Sequence, residues 1–179
     1  ESACTVQDCA IRAPARHVDL PDMQEDIAAL ERFMITLEWL MALHERHPNA
    51  LHFGLIHVCF HNKRQLGQAY GARDATQMLS DLSAKLRQSF RKTDLVARDG
   101  TDFWILVPYT SPDTVAQKVT QLVEMASDAG LDIVDRDVAV FSMPDPEIMQ
   151  NMAFNSAGEF LAHLKANRQI AFRWEHVVQ

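Results

Sequence analysis

Two places in this 179-residue chain bring reactive side chains close together. In the run from Leu51 to Phe60 and just beyond it, His57, Cys59 and His61 alternate. Alternate residues of an extended strand share one face. An imidazole, a thiol and a second imidazole would then point the same way, and with a fourth ligand that set suits zinc. Spacing identifies no fourth ligand. The plainer reading is a buried cysteine between hydrogen-bonded histidines. The second place is DLVARDGTDFWILVP, residues 94–108. Two short extended runs flank Asp99-Gly100-Thr101-Asp102, and Asp-Gly is favourable hairpin chemistry. Around it Lys85, Arg87, Arg91, Lys92 and Arg98 make a local basic run that would suit phosphates.

That basic run stands out because the whole chain is acidic, with a formal net charge of −7. Such a balance argues against nucleic acid or an anionic membrane as partner. Hydrophobic residues at 47% and charged residues at 23% suit a globular domain with a sizeable core. Three cysteines, an odd count, point to a reducing compartment and a cytoplasmic location. Cys4 and Cys9 sit in a polar lead-in with no second pair to match them. No signal peptide is visible. The longest apolar stretch, around residues 27–43, is interrupted by Glu31, Arg32 and Glu38, so no membrane contact is expected within this segment. A start without methionine fits the soluble part of a larger or membrane-anchored protein.

The elements that must position these groups follow from periodicity. Residues 1–20 read as a linker or arm, and residues 21–179 as a single domain that includes an N-terminal helix over 22–47. Ile27, Leu30, Met34, Leu37 and Met41 mark one face of that helix. Phe33, Trp39, Leu40 and Leu43 widen it, as a helix with a second partner would require. Leu51 to Phe60 predicts a central strand. Met78, Leu79, Leu82, Leu86 and Phe90 predict an amphipathic helix. Ser111-Pro112-Asp113 opens another, closed by Gly130. A strand at 138–141, a helix at 156–165 and a last strand at 169–174 complete the order. Interleaved strands and helices imply one sheet covered by helices.

The order of elements and the wording of SFRKTDLVARDGTDFWILVP resemble the GGDEF (diguanylate cyclase) family, over roughly residues 50–175. The family's pattern of R-x-x-D, strand, GGDEF hairpin and apolar strand falls here on Arg91 to Asp94, Leu95 to Arg98, Asp99 to Phe103 and Ile105 to Pro108. Tyr70-Gly71 and the closing FLAHLKANRQIAF, with Lys165, are further matches. The resemblance implies an α+β, nucleotidyl-cyclase-like fold: a mostly antiparallel sheet of about five strands covered by helices.

It also implies where chemistry has gone. Active members hold Mg²⁺ on two carboxylates beside GTP, and the position at the end of the first strand falls on Cys59, a poor magnesium ligand. The hairpin motif is reduced to Asp99, Gly100, Thr101, Asp102 and Phe103, without the glycine pair that lets backbone approach phosphate. The guanine-reading positions fall on Gly67 and Thr76. Neither cyclase activity nor a magnesium cofactor is expected. The R-x-x-D pair remains, and in the family it is the inhibitory site for cyclic di-GMP. Arg91 would offer donors to the O6/N7 edge of guanine. Asp94 would accept from N1 and N2, and Arg98 would add positive charge. Such a pair arises by chance about once in a chain of this composition, and Arg16 to Asp19 is another. The position of Arg91 and Asp94, just ahead of the hairpin, singles them out. The expected function is an inactive GGDEF-like receptor for cyclic di-GMP that relays to a protein partner, as in control of exopolysaccharide secretion and biofilm. The alternative is a nucleotide-independent module acting through helix 22–47, as homodimer or docking element. Lys63, Arg64 and Lys165 would be candidates for phosphate contacts.

Overall fold

The computed structural model describes residues 20–48, 51–60, 71–108, 111–133, 137–145, 148, 154–168 and 171. The elements are α1 (Leu20–Arg46), β1 (Phe53–Cys59), α2 (Ala72–Ser89), β2 (Leu95–Asp99), β3 (Asp102–Pro108), α3 (Pro112–Asp128), β4 (Val138–Met143) and α4 (Ala157–Ala166). Four described strands form one sheet in the order β2-β3-β1-β4, every pairing antiparallel. The expected strand at 169–174 lies outside the described residues apart from Ala171. So do Cys4, Cys9, His61, Lys63, Arg64, Gly67 and Tyr70.

Alternation along the strands sorts the core into two layers. Ile56 and Val58 of β1 and Phe103, Ile105 and Val107 of β3 face α2 and α3, meeting Leu82, Leu86, Val119 and Leu122. Phe53 and Leu55 with Trp104 and Leu106 face the other way, meeting Phe33 and Leu37 of α1 and Phe160 and Leu164 of α4. Local chemistry closes the helix ends. Ser111 accepts from the Thr114 N–H ahead of α3, and Ser156 accepts from the Glu159 N–H ahead of α4, as capping residues do. Gly130, at φ 83°, follows α3 in the left-handed region that favours glycine.

α1 docks through most of the face that periodicity suggests, with Leu37 buried and Leu30, Met34 and Met41 packed against the core, but the face turns to take in Asp26 and leave out Ile27. Asp26, Ala29, Phe33, Leu37 and Leu40 are buried, whereas Ile27 is 58% exposed. The reason is a charge. Asp26 receives Arg87 Nη1 at 2.6 Å, Arg98 Nε and Nη2 at 3.1 Å each, and Ser80 Oγ at 3.2 Å. A paired buried acid belongs to the docking face, and a count of apolar residues passes over it. Met23, Ile27, Ile35 and Trp39 are left exposed. No described helix is long and apolar enough to cross a membrane.

Candidate functional site

The hairpin between β2 and β3 pairs Asp99 with Asp102 across Gly100 and Thr101. Gly100 has φ 62°, the left-handed region that suits glycine. The Phe60 N–H donates to the Thr101 carbonyl at 3.2 Å, tying the turn to the end of β1. β1 and β3 then set Cys59 opposite Asp102 and His57 opposite Trp104. Alternation places all four side chains on the α4 side of the sheet.

A closed charge cluster results. Asp102 Oδ2 accepts from Lys165 Nζ at 2.6 Å, and Oδ1 lies 2.9 Å from His57 Nε2. Arg168 Nη1 lies 2.7 Å from His57 Nδ1. A guanidinium only donates, so Nδ1 is the acceptor, and the ring proton sits on Nε2 and donates to Asp102. His57 is thus neutral and fully partnered, and it stacks on Trp104 at 4.2 Å between ring centroids. Burial pushes the imidazole below its ordinary value, and the nearby Arg168 adds to this against the opposing pull of Asp102. Burial alone would raise the Asp102 carboxyl, but hydrogen bonds from His57, Lys165 and Cys59 outweigh it and hold the group well below the usual carboxylate range. Burial and the adjacent Asp102 push the Cys59 thiol up to about 11. The hydrogen bond to Asp102 raises Lys165, so its ammonium stays charged.

This donor set does not fit Mg²⁺. The ion needs carboxylate oxygens and water in near-octahedral array. Here one acid already bears an ammonium and an imidazole N–H, and its neighbour is a protonated thiol. Nor does it extend to zinc through His57, since both ring nitrogens are engaged and His61 is outside the described residues. Among the described residues no group of three or more His, Cys, Asp or Glu could hold a metal ion. Of the turn residues, only Asp102 is built into the cluster by its side chain. Sequence reasoning placed Lys165 near phosphates, but its ammonium meets Asp102. The role of Arg168 was not foreseen.

The R-x-x-D pair lies elsewhere, beside a cleft of about 460 Å³ between α1, the C-terminal part of α2 and the start of β2. That size is within the range of small-molecule sites. Arg91 and Lys92 are exposed on its lining, while Asp94 is 9% exposed. The Asp94 N–H donates to the Arg91 carbonyl at 2.9 Å, so the pair is one local turn. The Asp94 carboxylate accepts from Lys118 of α3, whose ammonium also lies 4.9 Å from the centroid of the Phe90 ring. The cleft has further basic walls in Arg32 of α1 and Arg87 of α2. Arg98 differs from its expected place. It does not line the cleft, because its guanidinium is turned to Asp26 and to the Gly100 carbonyl, 2.8 Å from Nη1. Neither Asp26, Arg32 nor Lys118 was singled out by motif, since each lies far along the chain from the pair it serves.

Comparison with known proteins bears on the fold and the family. The family model described as "Diguanylate cyclase, GGDEF domain" matches residues 30–171. The "Uncharacterized protein YhcK" of Bacillus subtilis (strain 168) is 29% identical over 103 residues, 56% of this chain. That match spans 29% of the relative's length. Among solved structures, the GGDEF domain of PA1120 (YfiN or TpbB) from Pseudomonas aeruginosa superposes with a TM-score of 0.52 at 14% identity, over 78% of this chain and 86% of that one. A sensory box/GGDEF family protein from Caulobacter crescentus gives 0.53 at 15%, over 80% and 88%. The GGDEF domain of DgcB from Caulobacter crescentus, solved in complex with c-di-GMP, gives 0.52 at 14%, over 78% and 80%. At such identities the structures speak for the fold alone, and the family model for membership: this chain belongs to the GGDEF, or diguanylate cyclase, family.

Proposed function

We propose that this domain is a non-catalytic receptor for cyclic di-GMP, which binds in the cleft beside Arg91 and Asp94 and relays its presence to a protein partner. The observation that carries the reading is a contrast within one molecule. Asp102, the acid of the former catalytic turn, is already bonded to Lys165 and His57. Arg91 and Lys92 line a cleft and have no ion-pair partner among the described residues. A dinucleotide brings two phosphates and two guanines, which suit guanidinium forks. Arg91 reads a guanine edge, and Asp94, buried and bonded to Lys118, fixes the turn that carries Arg91. Arg98 acts indirectly, by holding α1 and the turn in place. Residues 99–103 serve as structure, with no magnesium and no turnover of GTP.

Calorimetric titration with cyclic di-GMP, with GTP in parallel, tests this. Micromolar or tighter binding of cyclic di-GMP, lost in Arg91→Ala, is the expected result. Silence with both nucleotides would sink the receptor reading. A second reading is favoured by the exposed Met23, Ile27, Ile35 and Trp39 of α1: a nucleotide-independent interaction module, as homodimer or docking element. Sedimentation that shows self-association, abolished by Trp39→Glu and unaffected by cyclic di-GMP, would favour it.

A further inference from the structure

α1 presents two adjoining faces to the rest of the domain. Asp26, Phe33, Leu37 and Leu40 turn inward and are buried. Glu25, Ala29 and Arg32, spaced i, i+4 and i+7, share the neighbouring face and line the same cleft as Arg91, Lys92 and Asp94. The cleft therefore exists only while α1 is docked. Docking is held by Asp26, which receives Arg87 from α2 and Arg98 from β2.

The charges of this wall suit an anion. Asp26 is shared by Arg87 and Arg98, and Lys118 neutralises Asp94. That leaves Arg32, Arg91 and Lys92 in the cleft with Glu25. Glu25 and Arg32 lie 3.5 Å apart, and both side chains are more than half exposed. Such a pair is weak, and a phosphate offered to the guanidinium displaces it readily.

We infer that α1 is a wall of the ligand site, with Arg32 its contact to a bound phosphate, so that occupancy of the cleft and docking of α1 are linked. The inference rests on the reading of the cleft as the cyclic di-GMP site. A ligand that touches both α1 and the Arg91 turn binds the docked arrangement better than the undocked one. It must then shift α1 toward docking by that difference in affinity. α1 thereby becomes the element through which the cleft speaks to whatever precedes or contacts the helix.

The test uses the full 179-residue chain and cyclic di-GMP, with Arg32→Ala, Arg91→Ala and a Glu25→Gln/Arg32→Ala double variant. Arg32 is exposed, so its loss leaves the fold intact, and the double variant removes the repulsion that an unpaired Glu25 would add. Loss of one charge-assisted contact is expected to weaken binding about tenfold in both Arg32 variants. Saturating ligand should also slow amide exchange over residues 25–40 of the unmutated chain. Arg32 variants that bind as the unmutated chain does, while Arg91→Ala fails, would overturn the wall and leave the receptor reading standing. Weakened binding with no change in α1 exchange would overturn the linkage. No binding by the unmutated chain would overturn both readings together.

Discussion

Asp102 and Asp94 are acids at opposite ends of the short β2–β3 unit, and they have been put to different uses. Asp102 opens β3 and collects an ammonium, an imidazole N–H and a thiol from two other elements. Nothing about that arrangement invites a cation, because the protein has supplied its own. Asp94 precedes β2 and has one strong partner, Lys118. Its neighbours Arg91 and Lys92 remain directed to a cleft. The two ends are joined by Arg98, which bonds both the turn carbonyl of Gly100 and the α1 acid Asp26. At the turn end the acid is satisfied internally, and at the other end Arg91 and Lys92 are left open to the cleft.

The comparison breaks first at Asp26. Replacing it with alanine leaves two arginines facing one another beneath α1, and should cost roughly 3–5 kcal/mol of stability by urea denaturation. If the loss is below about 1 kcal/mol, the buried pair is not what docks α1. Next is Lys118→Met. It keeps much of the stem over Phe90 but leaves the buried Asp94 carboxylate unpaired, and should cost roughly 2–3 kcal/mol or more. Cyclic di-GMP affinity should fall with it, since the Asp94–Lys118 pair fixes the turn that carries Arg91.

Arg91→Ala should separate the two ends. Being exposed, it should leave stability within about 0.5 kcal/mol and still remove roughly 1.5–3 kcal/mol of ligand binding. A variant that loses both equally would mark Arg91 as structural.

Acid should act on the turn end. His57 has a folded-state value lowered from 6.5, so the unfolded chain takes up its proton first. The stability contributed by the neutral ring is complete above 6.5 and declines as pH falls through the folded value. Asp102 adds the same sign lower down, where its depressed carboxyl finally protonates. In His57→Gln the component near neutrality should vanish, read from denaturation midpoints between mildly acidic and neutral pH. A midpoint profile identical to the unmutated chain would mean that folding does not lower the His57 value. The smallest expected effect is none. Millimolar Mg²⁺ should leave the thermal midpoint unmoved, because its would-be ligand is already bonded. A rise of several degrees would show a cation site at the turn after all.

Much of this was legible in the chain itself. The continuous apolar run FWILV and the Asp-Gly turn prescribe a hairpin, and Ser111 and Ser156 mark helix starts, because those signals are local. The Arg91–Asp94 pair and the cysteine that ends β1 could be read by their place in the order of elements. The edge of the α1 docking face could not. Periodicity ranks Ile27 with the buried residues and Asp26 with the solvent, and both ranks invert because arginines from α2 and β2 converge on the acid. The same holds for Lys118 beneath Asp94, and for Lys165 and Arg168 around Asp102 and His57. Burial of a charge depends on a partner from elsewhere in the chain. Local sequence therefore determined which elements form and which residues stand at the turn and the strand ends, and tertiary packing alone decided which charges meet each other and which still face a cleft.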